Sequence, residues 1–301
     1  MATYAIGLDV GGTKVAGGVV DLATGHVMLR DIIPTGADRG GEAVLADSIA
    51  LATRLQQQAA QQGLQITGIG MGICELVDPA GNVTSAYNFD WRQLPVQQRL
   101  ATLAPAVVES DARTAALAEA RYGAGVEFST FCYVTVGTGI SCCFVQDGKP
   151  LAGARGNALV LASMPLTTTC TTCGTTLHPI LEEFAGGPAL IARYNQARGR
   201  HVHSGQEVFA AVEHDPSARA IVQSAGAALG NSVAFLCNVL DPAAVIVGGG
   251  LGLAGGVYWE AFVAATRAHI YAADTRALPI LPAALGIDAG LIGAAASSNR
   301  R

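Results

Sequence analysis

The sequence has little charge and no cluster of basic residues. Only 14% of its 301 residues are Asp, Glu, Lys or Arg, and the formal net charge is −5. Proteins that bind nucleic acids usually carry a basic stripe or arm that neutralises phosphates. The sequence therefore predicts no nucleic-acid partner.

Signals for secretion and membrane insertion are also missing. The chain begins with the strand-like stretch TYAIGLDV, with no basic segment followed by an apolar one. No apolar run reaches membrane-spanning length without a polar interruption. We expect a cytoplasmic protein that has no membrane partner.

The cysteines do not form a disulfide pattern. Of the seven, Cys132, Cys142, Cys143 and Cys237 fall in apolar patterns, where Cys acts as a small hydrophobic residue. The stretch TCTTCGTTLH is different, since it holds Cys170, Cys173 and His178 within nine positions. By itself this spacing fits a metal site, a redox pair or a polar loop.

Apolar residues and glycine are abundant instead. Half of the chain is hydrophobic, which is enough for a large core and favours two lobes. The 37 glycines cluster in short motifs rather than in a low-complexity tract. This clustering indicates tight turns against ligands.

Two halves of the sequence begin in the same way. Residues 4–21 read as a strand, a Gly-Gly-Thr-Lys turn and a second strand, and FCYVTVGTGISCCFVQDG repeats strand, Gly-Thr-Gly turn and strand. Rossmann and Walker phosphate loops differ, because they lead into a helix. The repeat predicts a two-lobed α/β protein with a ligand cleft between similar lobes.

Apolar spacing predicts the remaining elements. A third strand follows at 27–35, and further strands are expected at 66–73, at 106–110 and before the glycines at 248–250. Helices are expected at 42–62, 94–103, 112–122, 206–240, 259–270 and 288–298.

The first glycine turn has the chemistry of an anion site. Glycines let main-chain N–H groups approach a phosphate, Thr adds a hydroxyl donor, and a strand-end Asp can hold Mg²⁺ through water. An ordinary hairpin with a solvated Lys is the alternative. The residues are Asp9, Gly11, Gly12, Thr13 and Lys14.

Two further glycine motifs and one carboxylate complete the candidates. Gly137, Thr138 and Gly139 repeat the phosphate-turn pattern. Gly248, Gly249 and Gly250 would let an adenine or ribose lie against backbone, or else form a loop that needs positive φ. Asp111 stands between a strand and a helix, as an N-cap, as a base for a substrate hydroxyl, or as both.

In this order the motifs resemble the ROK family (repressor, open reading frame, kinase) of sugar kinases. The match includes IGLDVGGTKVAGGVVD, ESDARTAALAE, YVTVGTGIS, GARGNA, EEFAGGPAL, NVLDPAAVIVGGGL and GIDAGLIGAA, and covers nearly the whole chain. The resemblance implies the actin-like, ribonuclease H-like ATPase fold, with duplicated βββαβα-type domains and a central cleft.

The resemblance also implies roles. Asp111 is the catalytic base, the two Gly-Thr turns with Asp9 bind phosphate and Mg²⁺, and the Gly248–Gly250 run lines the adenosine site. ATP is the phosphoryl donor, and a homodimer is expected. We expect a small lobe at 1–112, a large lobe at 113–288, and a C-terminal helix at 289–301 that packs toward the small lobe. The early position of Asp9 leaves no room for the DNA-binding module of the family's repressors.

The sugar and zinc segment departs from the family pattern. Val160 stands at the sugar-binding Glu, Ser163 at the His that contacts sugar and zinc, and Ile180 at a zinc Cys. Glu182 keeps the final Glu, so it is expected at the sugar. Cys170, Cys173 and His178 offer three ligands where structural zinc wants four, so bound Zn²⁺ and a metal-free loop both stay open.

Other substitutions lie upstream. Glu75 replaces a family Gly, and we hypothesise that it takes over the hydroxyl recognition lost with Val160, unless it points to solvent. Asn88 and Ser110 are also expected at the sugar. Arg113 replaces an Asn and is expected to touch phosphate or to pair with Glu109.

The sequence therefore predicts ATP-dependent phosphorylation of a hydroxyl on a hexose, an amino sugar or a sugar-like polyol. An ammonium group on the substrate could pair with Glu75 or Asp90. A non-catalytic sugar or nucleotide sensor on the same fold is the alternative. A third reading is a redox or metal-carrier protein centred on Cys170 and Cys173.

Overall fold

The computed structural model describes residues 3–169, 174–199 and 201–299, and its contacts divide the chain into two units. Unit 1 holds Met1–Ser129, Cys143–Ala158 and Ala284–Arg301, and unit 2 holds Thr130–Cys142 and Leu159–Ala283. This division differs from the expected one, because a boundary after residue 112 would cut a helix, Asp111–Tyr122. That helix lies wholly in unit 1.

The strands, in chain order, are β1 Tyr4–Val10, β2 Lys14–Asp21, β3 Val27–Pro34, β4 Ile66–Ile73, β5 Ala106–Ser110, β6 Thr130–Val136, β7 Ile140–Gln146, β8 Lys149–Pro150, β9 Thr168–Thr169, β10 Thr176–Leu177, β11 Ala244–Gly248 and β12 Ile280–Pro282.

The α-helices are α1 Gly41–Gln61, α2 Val96–Leu100, α3 Asp111–Tyr122, α4 Leu181–Ala185, α5 Gly187–Arg198, α6 Gly205–Ala211, α7 Pro216–Leu240, α8 Gly249–Gly252, α9 Gly256–His269 and α10 Ala289–Ser297.

Unit 1 is built on a five-stranded sheet of order β3-β2-β1-β4-β5. The first three strands are antiparallel, and β1, β4 and β5 run parallel. The central strands β1 and β4 are apolar and largely buried, whereas the edge strand β3 alternates part-buried and exposed residues. Helix α1 buries Leu45, Leu51 and Leu55 on this core.

Unit 2 repeats the arrangement in β12-β11-β6-β7, with β11 parallel to both β6 and β12. Strand β7 continues into unit 1 after Cys142, where its last residues pair with β8. Each sheet thus begins from a glycine hairpin and adds two parallel strands. This confirms the internal repeat that the sequence predicts.

The predicted helices lie close to their expected positions, with one division, whereas α4, α5 and α8 were not predicted. The stretch 206–240 is two helices, because the Asp215 carboxylate caps α7 by accepting from the Ser217 N–H and Pro216 follows at the first helical position. Helix α7 is long and apolar enough to cross a membrane, but most of it is buried inside unit 2, as in a core helix. The absence of a membrane partner stays a prediction.

Helix α10 packs on α3, β1 and β4 of unit 1 at backbone distance. A Cβ on Gly7 would lie 2.0 Å from the Leu291 carbonyl oxygen, and one on Gly70 would lie 1.6 Å from that of Ala294. On the other side, a Cβ on Gly293 would lie 1.7 Å from the Thr114 carbonyl oxygen. Only glycine allows this approach, so α10 is wedged between the sheet and α3.

We expect Gly70→Ala to destabilise the protein by about 2–4 kcal/mol, because its methyl group has to displace the α10 backbone. The fall in midpoint temperature during thermal unfolding measures this. Gly205→Ala is the matched control, since a Cβ there meets nothing within 4 Å. Equal midpoints for the two variants would contradict the backbone contact.

Candidate active site

The carboxyl ends of three parallel strands in unit 1 carry the predicted acidic residues. The register places Asp9 of β1 opposite Gly72 of β4, and Gly72 opposite Glu109 of β5. Glu75 follows the end of β4, and Asp111 follows the end of β5. The topology therefore brings Asp9, Glu75 and Asp111 to one edge of the sheet.

The first glycine turn joins β1 and β2 and is exposed at Gly12, Thr13 and Lys14. The Gly11 N–H donates to the Lys14 carbonyl at 3.0 Å. The buried Thr35, which sequence reasoning missed, braces the turn: its hydroxyl donates to the Gly11 carbonyl at 2.6 Å and its N–H donates to the Thr13 carbonyl at 3.0 Å. The turn is therefore held in a fixed shape with its outer face open.

The Asp9 carboxylate lies against the start of α10. A Cβ on Gly290 would lie 2.7 Å from Oδ2 of Asp9, so glycine is required there. Burial raises the pKa of Asp9 to about 6, opposed by the nearby charge of Lys14. The N-terminal end of a helix is a favourable place for an anion. The contact explains why the GIDAGLIGAA segment matters to this site.

Asp111 is the first residue of α3, and Ser110 is its N-cap. The Asp111 Oδ1 accepts the Ala112 N–H at 2.6 Å. The pKa of Asp111 is raised to about 7: burial raises it most, the charges of Asp9 and Glu75 also raise it, and the Ala112 N–H and the charge of Arg113 lower it. A carboxyl group with this pKa can take up a proton near neutral pH.

The sequence left open whether Arg113 touches phosphate or pairs with Glu109, and in the structure it pairs with Glu109. Its Nε donates to Glu109 Oε1 at 2.5 Å, and both side chains are buried. The guanidinium also donates to the carbonyls of Gly156 at 2.7 Å and Val77 at 2.6 Å. Arg113 therefore joins the start of α3 to two loops of unit 1.

The structure does not favour the expectation that Glu75 contacts the sugar. Glu75 is only 3% exposed. Its Oε2 accepts the Ser85 hydroxyl and the Tyr87 N–H, and its Oε1 accepts the Asn88 N–H at 2.6 Å. These donors occupy the carboxylate, so the chain folds around the charge instead of presenting it.

Asn88 and Ser110 differ in accessibility. Asn88 is exposed, and a Cβ on Gly12 would lie 2.7 Å from its Oδ1, so the amide lies beside the first glycine turn. Ser110 is 9% exposed at the end of β5. Their roles at the sugar stay predictions, with Asn88 the better placed of the two.

In unit 2, the second glycine turn meets Glu182 and the start of α5. The Ile140 N–H donates to Glu182 Oε2 at 2.7 Å, and a Cβ on Gly139 would lie 2.7 Å from the same oxygen. The Gly187 N–H donates to the Gly137 carbonyl at 2.9 Å. One oxygen of Glu182 is thus used to hold the turn, while Thr138 and Gly139 are exposed.

The run Gly248–Gly250 lies beside the same turn. Gly249 has φ 81°, and a Cβ there would lie 2.3 Å from the Val136 carbonyl oxygen. Glycine is therefore needed at 249 for its conformation and for the close approach of β6. Gly250 is exposed and has open space around it, so it is the member of the run that a ligand can approach.

Of the possible zinc ligands, Cys170 and Cys173 lie outside the described residues. His178 is exposed, with its Nδ1 3.3 Å from the Thr167 hydroxyl, and Ser163 and Val160 are also exposed. Among the described residues, no three His, Cys, Asp or Glu side chains cluster as a metal site would require. Zinc binding stays a prediction.

We expect Asp111→Asn to raise stability at pH 8 by about 1–3 kcal/mol. The carboxyl group has a pKa of 3.8 when unfolded and about 7 when folded, so ionisation costs folding free energy as pH rises between these values. The gain should shrink toward zero as pH falls to the unfolded pKa of 3.8.

Thermal unfolding from acid to alkaline pH checks this difference. Asp90→Asn is the control, because that exposed carboxylate is ion-paired with Arg92, which lowers its pKa to about 2. A stability gain for Asp111→Asn that does not change with pH would contradict the burial of an ionisable group at 111.

Comparison with known proteins identifies the family. The ROK family model matches residues 5–300. The glucokinase of Streptomyces coelicolor is 30% identical over 317 aligned positions, covering 96% of each chain. The N-acetylmannosamine kinase of Escherichia fergusonii is 29% identical over 301 positions, covering 98% of this chain and 97% of that one.

Solved structures agree. The ROK hexokinase from Thermus thermophilus has a TM-score of 0.81 at 34% identity, covering 98% of this chain and 97% of that one. A ROK family glucokinase from Streptomyces griseus, in complex with glucose and AMPPNP, has a TM-score of 0.81 at 28% identity, covering 97% of this chain and 98% of that one. The chain belongs to the ROK family and has its actin-like ATPase fold.

Proposed function

We propose that the chain is a kinase that transfers the γ-phosphoryl group of ATP to a hydroxyl of a hexose or a related sugar. The observation that carries this is Asp111, a part-buried carboxyl group with a pKa of about 7, at the same sheet edge as Asp9 and the first glycine turn. The sugar kinases among its relatives support the same activity.

In the proposed reaction, the sugar hydroxyl oxygen forms a bond to the γ-phosphorus as the bond to ADP breaks. The hydroxyl proton passes to the Asp111 carboxylate late in a loose transition state, where little base strength is needed. Main-chain N–H groups of the two glycine turns would position the phosphates. Gly250 would face the adenosine.

Mg²⁺ fits the residues of unit 1. Asp9 is a part-exposed carboxylate beside the open glycine turn, and hard oxygen ligands suit this ion. When bound, Mg²⁺ neutralises charge on the phosphates. Asp9 is the residue proposed to hold it, through water.

The acceptor is proposed to be a neutral sugar. The carboxylates of Glu75 and Asp90, which the sequence offered for an ammonium group, are both occupied: that of Glu75 by donors of its own loop, and that of Asp90 by Arg92. Val160 and Ser163 also lack the charge of the residues that they replace. A hexose, an N-acylated hexosamine or a polyol therefore suits the chain better than a free amino sugar. Glu182 is proposed to contact it through the oxygen that does not hold Ile140.

The departure of the sugar and zinc segment from the family pattern favours a second candidate, which is a sensor that binds nucleotide without turnover. A homodimer and a cytoplasmic location stay predictions, which light scattering and cell fractionation can test.

Mixing the purified protein with Mg²⁺, ATP and a panel of hexoses, N-acylhexosamines, free hexosamines and cyclitols tests the activity. We expect ADP release that depends on a neutral sugar, and we expect Asp111→Ala to lower kcat about 10²–10⁴-fold. If the wild type shows no more sugar-dependent ADP release than Asp111→Ala, the kinase proposal is wrong. Nucleotide binding without release would favour the sensor.

The dependence of kcat/KM on pH should follow the ionisation of the catalytic base. Because only ionised Asp111 accepts the proton, kcat/KM for the sugar should fall about tenfold per pH unit below the pKa of Asp111, about 7. Initial rates at saturating Mg²⁺ and ATP measure this. A profile that stays flat down to about pH 5.5 would argue against Asp111 as the titrating group.

A further inference from the structure

Residues 85–89 form a short segment that wraps around the Glu75 side chain, and we call it the Glu75 loop. Oε2 accepts the Ser85 hydroxyl and the Tyr87 N–H at 2.8 Å. Oε1 accepts the N–H groups of Asn88 at 2.6 Å and Phe89 at 3.4 Å. Three consecutive main-chain donors therefore converge on one buried carboxylate.

The same carboxylate sets the orientation of the Asn88 amide. Asn88 Nδ2 donates to Glu75 Oε1 at 3.3 Å and to the Cys74 carbonyl at 3.3 Å. An amide nitrogen has two hydrogens, and both are used. The group that Asn88 has left for a ligand is Oδ1, which lies beside Gly12 of the first glycine turn.

We propose that Glu75 is a positioning residue: it fixes the Glu75 loop and turns the Asn88 amide so that Oδ1 accepts a hydrogen bond from a hydroxyl of the sugar. This rests on the proposed kinase function. Glu75 itself is too buried to meet the sugar, so its effect on recognition passes through Asn88. A substrate recognised in this way must carry a hydrogen-bond donor at the position that meets Oδ1.

Glu75→Gln is the sharpest probe. It keeps the size of the side chain but replaces one acceptor oxygen with an NH₂ group, which faces the donors of the loop. Asn88→Ala removes the amide that Glu75 orients. Glu42→Gln is the matched control, since Glu42 is exposed and pairs with Arg99.

Hydrogen exchange tests the placement of the loop without any need for turnover. We expect the amides of Tyr87, Asn88 and Phe89 to exchange at least about tenfold faster in Glu75→Gln than in the wild type, and no change in Glu42→Gln. Unchanged protection of these amides would overturn the proposal. Should Glu75→Gln fail to fold, Ser85→Ala removes a single donor, and the same amides should then exchange faster to a smaller extent.

Kinetics test the route through Asn88. Glu75→Gln should raise the KM for the sugar about tenfold, with the KM for ATP unchanged within about twofold. In an Asn88→Ala background, Glu75→Gln should raise the sugar KM no further. An equal rise in both backgrounds would overturn the positioning role.

The two proposals fail in different ways. A wild-type protein without sugar-dependent turnover would overturn the kinase function and with it the reading of a sugar hydroxyl, while the exchange result would still decide whether Glu75 places the loop. If the wild type is active and Glu75→Gln leaves the sugar KM unchanged, only the proposed role of Glu75 is overturned.

Discussion

The backbone contact between α10 and the sheet of unit 1 is the constraint on which the candidate site depends. Gly7 and Gly70 let the helix lie directly on β1 and β4, and Gly293 lets α3 lie directly on the helix. Because α10 lies so close to the sheet, Gly290 contacts the Asp9 carboxylate. The same helix contacts α3, which carries Asp111 in its first turn. Larger side chains at the contact would move both carboxylates together, since one helix positions them.

Buried polar side chains complete the framework around these carboxylates. Thr35 braces the first glycine turn, and Arg113 joins α3 to two loops by hydrogen bonds. The Glu75 carboxylate accepts hydrogen bonds from the Glu75 loop. By the resemblance to the family, two of the three, Glu75 and Arg113, replace a smaller Gly or Asn. Their charges are satisfied inside the protein, so both side chains support the site and do not face a ligand.

The sequence predicted the repeated hairpins, the strand–helix order and the acidic sheet edge, because glycine turns and apolar periodicity are local signals. The direction of a side chain is not local. Glu75 reads as a carboxylate available to a ligand until the loop ten residues later is seen to donate to it. The sequence likewise gives no sign that one oxygen of Glu182 accepts the Ile140 N–H and so holds the second glycine turn. Thr35 belongs to no recognisable motif, so the sequence did not single it out. It follows directly after β3, and its hydroxyl and N–H donate to the first glycine turn.

The dependence of unit 1 on α10 has a consequence for biosynthesis. The core of this unit includes residues 3–129 but closes only when Ala289–Ser297 is in place. N-terminal domains commonly fold while the rest of the chain is still being made. Here β1 and β4 are made long before α10, the helix that covers them. The face of the sheet under α10 therefore stays uncovered on the nascent chain until residues 289–297 have been made, and the packing of unit 1 is completed only after the intervening segments of unit 2.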